Sequence, residues 1–228
     1  MEKNDSIQSQ IDKALLNFKK GKYLISIDIL ENLKEKETNF LINWYLGHSY
    51  FRIYDYLSSI KYIEKSISLK GSDELNQSFL AEVLLQSNQY EEAIKLFKKV
   101  LNLNKKNISA LFNLGKVYSE IGKFKIAEEY YNKIIMEEPN NFNAFYELIR
   151  LDKKYLSSKL IKNIKNFKIE GHKNNLNNIY ASLILAENDK NNKDYDNELD
   201  NLINGHQYFI QNKGKASQQE FNYFTNLL

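Results

Sequence analysis

The chain has 228 residues, of which 43% are hydrophobic and 13% aromatic, enough apolar material for a sizeable core. It has one proline, eight glycines and no cysteine, which excludes disulfides and thiolate metal sites and disfavours a turn-rich β fold. The net charge of +3 is too small to indicate a nucleic-acid partner. These features favour helices joined by short loops.

A repeated pattern of aromatic, small and bulky residues runs along the first 141 residues. The aromatic residues recur at intervals of 33, 34 and 34 positions: Tyr23, Tyr56, Tyr90 and Phe124. A small residue follows each after three positions, and a bulky residue follows after four more. The small residues are Ser26, Ser59, Ala93 and Ala127, and the bulky ones are Leu30, Ile63, Phe97 and Tyr131. A further small residue precedes each aromatic by nine positions: Ala14, Gly47, Ala81 and Gly115.

This pattern resembles the tetratricopeptide repeat, in which each unit of about 34 residues forms two helices. The resemblance implies an all-α, right-handed α-solenoid of antiparallel helix pairs with extra C-terminal helices. Residues 1–141 would then contain four repeats, at 7–39, 40–73, 74–107 and 108–141. Pro139 lies where a proline would end the last of these second helices. We expect Gly47 and Gly115 to lie where the two helices of one repeat come closest.

The repeat register loosens after residue 141. Residues 142–171 predict two helices, split near Tyr155–Ser158, which we interpret as a degenerate fifth repeat. Residues 172–228 predict a helical extension that is continuous with the solenoid. It would hold helices over 175–187 and 195–212, separated by a polar loop at 188–194. A last helix would begin at the capping box formed by Ser217 and Glu220.

No catalytic motif occurs in the sequence. His48, His172 and His206 are far apart and lack metal-ligand spacing, and neither a glycine-rich phosphate loop nor a G-x-S-x-G motif is present. We therefore expect this chain to act without a cofactor or a metal and not to be an enzyme.

The first helices of the repeats predict a concave groove that binds a protein or peptide. The groove residues are Leu41, Trp44, Tyr45, His48, Phe51, Arg52, Phe79, Glu82, Phe112, Asn113, Lys116, Tyr146 and Arg150, with Leu75, Ser78, Leu85, Ser109, Glu120 and Glu147 at equivalent positions. Trp, Tyr and Arg dominate binding hot spots. Trp44, Tyr45, Phe51, Phe79 and Phe112 would be anchors, and His48, Asn113, Lys116 and Arg150 would give polar specificity. The alternative is that Trp44 and Phe112 pack against neighbouring helices.

A lysine-rich stretch at 152–173 allows a third interpretation. Its lysines surround Leu156, Leu160, Ile164 and Phe167 at helical spacing, which suits either an adaptor for anionic surfaces or the second helix of a loose repeat. No apolar run reaches membrane-spanning length, and the N-terminus lacks the apolar core of a signal peptide. We therefore expect a cytoplasmic protein, with neither membrane nor nucleic acid as a partner.

The C-terminal region resembles the segment before the catalytic domain in bacterial tetratricopeptide-repeat sulfotransferases. The matching features are Leu185-Ala186-Glu187, a polar loop, Tyr195-Asp196, and a helix with Leu199 and Leu202 that closes on Gly205-His206. The P-x-S-G-T-T loop that holds 3′-phosphoadenylyl sulfate in that family does not occur here. The resemblance implies the substrate-docking region of such an enzyme, with the catalytic domain missing from this chain, or a stand-alone scaffold.

Overall fold

The computed structural model describes residues 7–33, 38–71, 74–169 and 175–211. These residues form α-helices and one short 3-10 turn, and none of them lies in a strand. The helices are α1 (Ile7–Lys19), α2 (Tyr23–Glu31), α3 (Phe40–Arg52), α4 (Tyr56–Lys70), α5 (Glu74–Gln86), α6 (Tyr90–Leu103), α7 (Ile108–Glu120), α8 (Phe124–Glu137), α9 (Phe142–Leu151), α10 (Ser158–Ile169), α11 (Asn175–Asn191) and α12 (Tyr195–Gln211). The 3-10 turn is Lys153–Tyr155.

The chain divides into two compact units, Met1–Val117 and Tyr118–Leu228. In the first unit each helix from α1 to α5 packs against the next one along the chain. In the second unit α9 packs against α8 and α11, and α11 packs against α10 and α12. The predicted all-α class built of helix pairs is confirmed. The repeat boundaries and the extension at 172–228 stay predictions.

The turn between the two helices of each predicted repeat contains one residue whose backbone is in the left-handed conformation. These residues recur at the same position, with φ values of 73°, 65°, 61° and 74°: Gly21, Tyr54, Asn88 and Gly122. The amide after each donates to a carbonyl near the end of the preceding helix, as in Lys22 to Asn17 at 2.9 Å and Asp55 to Tyr50 at 3.0 Å. This bond satisfies a carbonyl that the helix leaves without a partner, so it ends the helix and reverses the chain.

The core of the first unit lies between paired helices, at the positions that the repeat pattern marked. Leu30, Ile63 and Phe97 and the small residues before them are fully buried. Gly47 lies against α4: a Cβ atom added there would be 2.5 Å from Cδ1 of Ile63. The Ser59 hydroxyl on α4 also donates to the Gly47 carbonyl at 2.8 Å. The predicted close approach is therefore confirmed at Gly47, and Gly115 is buried.

The second unit has its own core, formed by α9, α10 and α11. Phe142, Ile149, Ile164 and Ile184 are buried together in it. The predicted split is confirmed, because α9 ends at Leu151 and α10 begins at Ser158.

The predicted loop at 188–194 is wrong over its first half, because α11 continues to Asn191. Asn201 on α12 donates a hydrogen bond to the Asp189 carboxylate at 2.8 Å. This contact with α12 stabilises the polar C-terminal end of α11. The predicted helix that begins at the capping box of Ser217 and Glu220 lies outside the described residues, as does His172.

Candidate binding face

An aromatic cluster on α3 and α5 forms the centre of the candidate site in the first unit. His48 lies between Trp44, at a centroid distance of 3.8 Å, and Phe79, at 3.5 Å and nearly parallel. Phe51 meets Phe79 edge-on at 5.3 Å. All four side chains are half-buried, so part of each stays open to a partner. We call Trp44, His48, Phe51 and Phe79 the aromatic face.

The arrangement follows from repeat geometry. Trp44, His48 and Phe51 lie three or four residues apart, so they share one side of α3. Phe79 lies one repeat of 34 residues after Tyr45 and reaches the same side from α5. Tyr45 itself turns toward α1, where it meets Phe18 edge-on at 5.4 Å.

His48 is a neutral stacking ring in this face. Burial, and secondly the charge of Arg52, lower the pKa of His48 from 6.5 to about 3. Its Nε2 atom is buried and has no hydrogen-bond partner. The sequence suggested an exposed polar group at this position. The neighbouring rings shield most of His48 from water instead, and only the tertiary structure brings Phe79 against it.

The other predicted groove residues of the first unit differ in exposure. Leu41 on α3 and Leu75 on α5 are 38% and 69% exposed at equivalent positions. Leu85, by contrast, is only 5% exposed and lies in the core, so its predicted place in the groove is wrong. Arg52 is exposed, while Glu82, Phe112, Asn113 and Lys116 are half-buried.

The charges around the aromatic face are mixed. His48, Glu82 and Lys116 recur at intervals of 34 residues, one on each of α3, α5 and α7. Burial raises the pKa of the Glu82 carboxyl, and the charges of Lys116 and then Arg52 act in the opposite direction. The face therefore joins an apolar centre to a partly desolvated carboxyl and two cations.

Two predicted groove residues, Tyr146 and Arg150, lie on α9 in the second unit. The Tyr146 ring meets Tyr180 of α11 at 5.7 Å, and Arg150 forms an ion pair with Glu147 at 3.1 Å. Tyr146 is half-buried and Arg150 is exposed. A single groove that includes them stays a prediction.

The lysine-rich stretch is divided between the 3-10 turn and α10. Leu160, Ile164 and Phe167 are buried in the core of the second unit, so the apolar side of α10 is occupied. Lys168 donates to the Ser182 hydroxyl at 3.0 Å, and burial lowers the pKa of its ammonium group. Lys159, Lys162 and Lys165 are exposed.

A polar cluster behind the aromatic face was not predicted from the sequence. The Glu31 carboxylate accepts hydrogen bonds from the hydroxyls of Tyr50, at 3.0 Å, and Tyr62. The two tyrosine rings stack at 5.5 Å. Glu31 and Tyr62 also line a cavity of about 590 Å³ with Asn43, Lys61, Glu64 and Lys65. The repeat pattern gave no signal for Glu31. That pattern compares the same position in successive repeats, whereas this cluster joins residues at different positions of the repeat.

Two absences concern the described residues alone. Within them, no three His, Asp or Glu side chains come together in a group that could hold a metal ion. No helix among them is long and apolar enough to cross a bilayer.

Comparison with known proteins agrees with the repeat geometry. A model described as "TPR repeat" matches residues 81–122, and one described as "Tetratricopeptide repeat" matches residues 108–141. Residues 81–141 are tetratricopeptide repeats. No curated protein matches the chain.

Solved structures of MamA share the fold of this chain. One crystal structure of MamA aligns with a TM-score of 0.54 and 17% identity, over 89% of this chain and 97% of that one. Another aligns with a TM-score of 0.55 and 16% identity, over 91% and 94%. MamA from Desulfovibrio magneticus RS-1, from residue 41 to its end, aligns with a TM-score of 0.59 and 15% identity, over 64% and 84%. At such identities the similarity concerns the fold alone.

Proposed function

We propose that this tetratricopeptide-repeat chain is a scaffold that binds a protein or peptide through the aromatic face. The observation that carries the proposal is the cluster of Trp44, His48 and Phe79, whose rings pack on one another and stay partly exposed. Large aromatic side chains with one open side supply most of the binding energy at interfaces. Leu41 and Leu75 extend this apolar surface along α3 and α5.

The proposal is tested with peptides selected from a random displayed library on the immobilised full chain. Trp44 is the only tryptophan, so its fluorescence reports directly on a peptide that reaches the aromatic face. Trp44→Ala removes this fluorophore, so its affinity and that of the wild type are compared by titration calorimetry; the variant should bind the selected peptides at least about tenfold more weakly, as loss of a hot spot does. Its far-UV circular dichroism should match that of the wild type.

Leu57→Ala is the matched control. Leu57 is 78% exposed, and it lies on α4, which contributes no residue to the aromatic face. It should leave affinity unchanged. Leu75→Asp serves as a second test should Trp44→Ala lose helix content, since Leu75 is 69% exposed and makes little contribution to the core. Unchanged affinity in a folded Trp44→Ala variant, together with unchanged affinity in Leu75→Asp, would refute the proposal.

Two other functions considered from the sequence have less support. The adaptor for anionic surfaces would need the apolar side of α10, which is buried in the second unit. The sulfotransferase resemblance rests on short motifs, and a source gene that continues into a P-x-S-G-T-T-like loop after codon 228 would be its test. Such a loop would make the aromatic face a candidate docking site for an acceptor protein.

A further inference from the structure

The last described helix, α12, has two apolar sides. One side packs on α11, where Phe209 is 3% exposed beside Ile179 and Leu183. The other side is exposed, with Tyr195 at 65%, Leu199 at 55%, Ile203 at 44% and Ile210 at 54%. We call these four residues the α12 stripe.

The α12 stripe has the geometry of a helix-packing surface. At 3.6 residues per turn its four residues fall within an arc of about 80° and extend along roughly 23 Å of the helix. Asp196, Asp200 and Asn204 lie beside it on a polar arc. A solvated helix has no need of a second apolar side, and the terminal helices of solenoids usually present a polar face to water.

We propose that the C-terminal segment of this chain, residues 212–228, docks on the α12 stripe. Its apolar residues Phe221, Phe224 and Leu228 recur at intervals of three and four, the spacing of one helix side. Counted from the predicted cap at Ser217, twelve residues would form a helix of about 18 Å, close to the length of the stripe.

The connection also favours this occupant over another molecule. Only residues 212–216 separate Gln211 at the end of α12 from Ser217. Connections of this length join antiparallel neighbours in helical proteins. Gly214 lies within the connection and permits a sharp reversal. A segment held so close by its own chain has a high effective concentration at the stripe. A second copy of the protein could compete for the stripe only at a comparable protein concentration.

Disulfide trapping in the full chain tests the proposal, because the natural sequence has no cysteine and gives no background. The test variant combines Ile203→Cys with Thr225→Cys, which leaves Phe221 and Phe224 intact. The control combines Asn204→Cys with Thr225→Cys: it has nearly the same separation along the chain, but Asn204 lies on the polar arc. Under mild oxidation the test variant should form its intramolecular disulfide at least about tenfold faster than the control.

Other outcomes would overturn the proposal. Equal rates in both variants would mean that the segment does not dock on the stripe. Rapid disulfide-linked dimers from Ile203→Cys alone, but not from Asn204→Cys alone, would make a second copy the occupant. Hydrogen exchange gives a separate readout: the double variant Phe221→Ser and Phe224→Ser should exchange α12 amides several-fold faster than wild type. Asn222→Ser is the control with unchanged exchange.

Discussion

The largely buried, neutral His48 predicts a specific loss of stability in mild acid. In the folded chain its pKa is lowered from 6.5 to about 3, first by burial and then by Arg52. The unfolded chain therefore binds a proton that the folded chain excludes between these two values. The stabilising contribution is complete above about pH 6.5 and falls as the pH decreases toward 3, at roughly 1.4 kcal/mol per pH unit.

The expected size follows from that slope. Between about pH 7 and pH 5 His48 should reduce the free energy of unfolding by roughly 2 kcal/mol. Urea unfolding followed by circular dichroism measures this quantity, and Trp44 fluorescence follows the same unit. Other groups also titrate in acid, including Glu82, whose raised pKa gives a contribution of opposite sign. The informative quantity is therefore the difference between wild type and a variant without the imidazole.

His48→Phe is that variant, because it keeps a ring of similar size between Trp44 and Phe79 and removes the titrating group. The stability of His48→Phe relative to wild type should rise by about 2 kcal/mol over the same pH interval. Proton NMR of the histidine ring gives an independent check, since the His48 signal should show no titration near pH 6.5. Parallel stability curves for the two proteins, or a His48 signal that titrates near pH 6.5, would refute the reasoning.

Three further predictions follow from single contacts. Gly47→Ala should lower the free energy of unfolding by up to about 2 kcal/mol, because the new methyl group meets Cγ1 and Cδ1 of Ile63 and this overpacking outweighs the gain in helix propensity. The loss should shrink in an Ile63→Ala background, which lacks both of these atoms; an equal loss in both backgrounds would contradict this. Tyr54→Gly should raise the free energy of unfolding by roughly 1 kcal/mol, because Tyr54 has a φ of 65°, which glycine adopts without strain. If urea unfolding shows no gain, the contacts of the Tyr54 ring outweigh the backbone strain. Burial, and then the hydrogen bond to Glu31, raise the pKa of Tyr50 to about 12. In Glu31→Gln, Tyr50 should therefore titrate at lower pH, as followed by tyrosinate absorbance. An unchanged titration curve would exclude the role of Glu31.

The repeat pattern was sufficient to predict the helical elements and much of the core. Ser59 and Ile63 are buried where the pattern marked them, and Gly47 lies at the contact between α3 and α4. These features depend on residues a few positions apart on one helix, together with a partner helix that follows along the chain. Local periodicity determines both, so the sequence by itself contained the information.

Contacts between distant residues were decided only by the tertiary structure. His48 and Leu85 both had the spacing of groove residues, yet the rings of Trp44 and Phe79 enclose His48, and Leu85 is buried. The polar end of α11 remains helical where a loop was expected, with Asn201 bonded to Asp189. Periodicity specifies which side of a helix a residue occupies, but the depth of burial and the pKa depend on side chains that another helix brings near. For this reason the sequence determined the repeat fold, while the three-dimensional packing determined the burial and the protonation of the aromatic face.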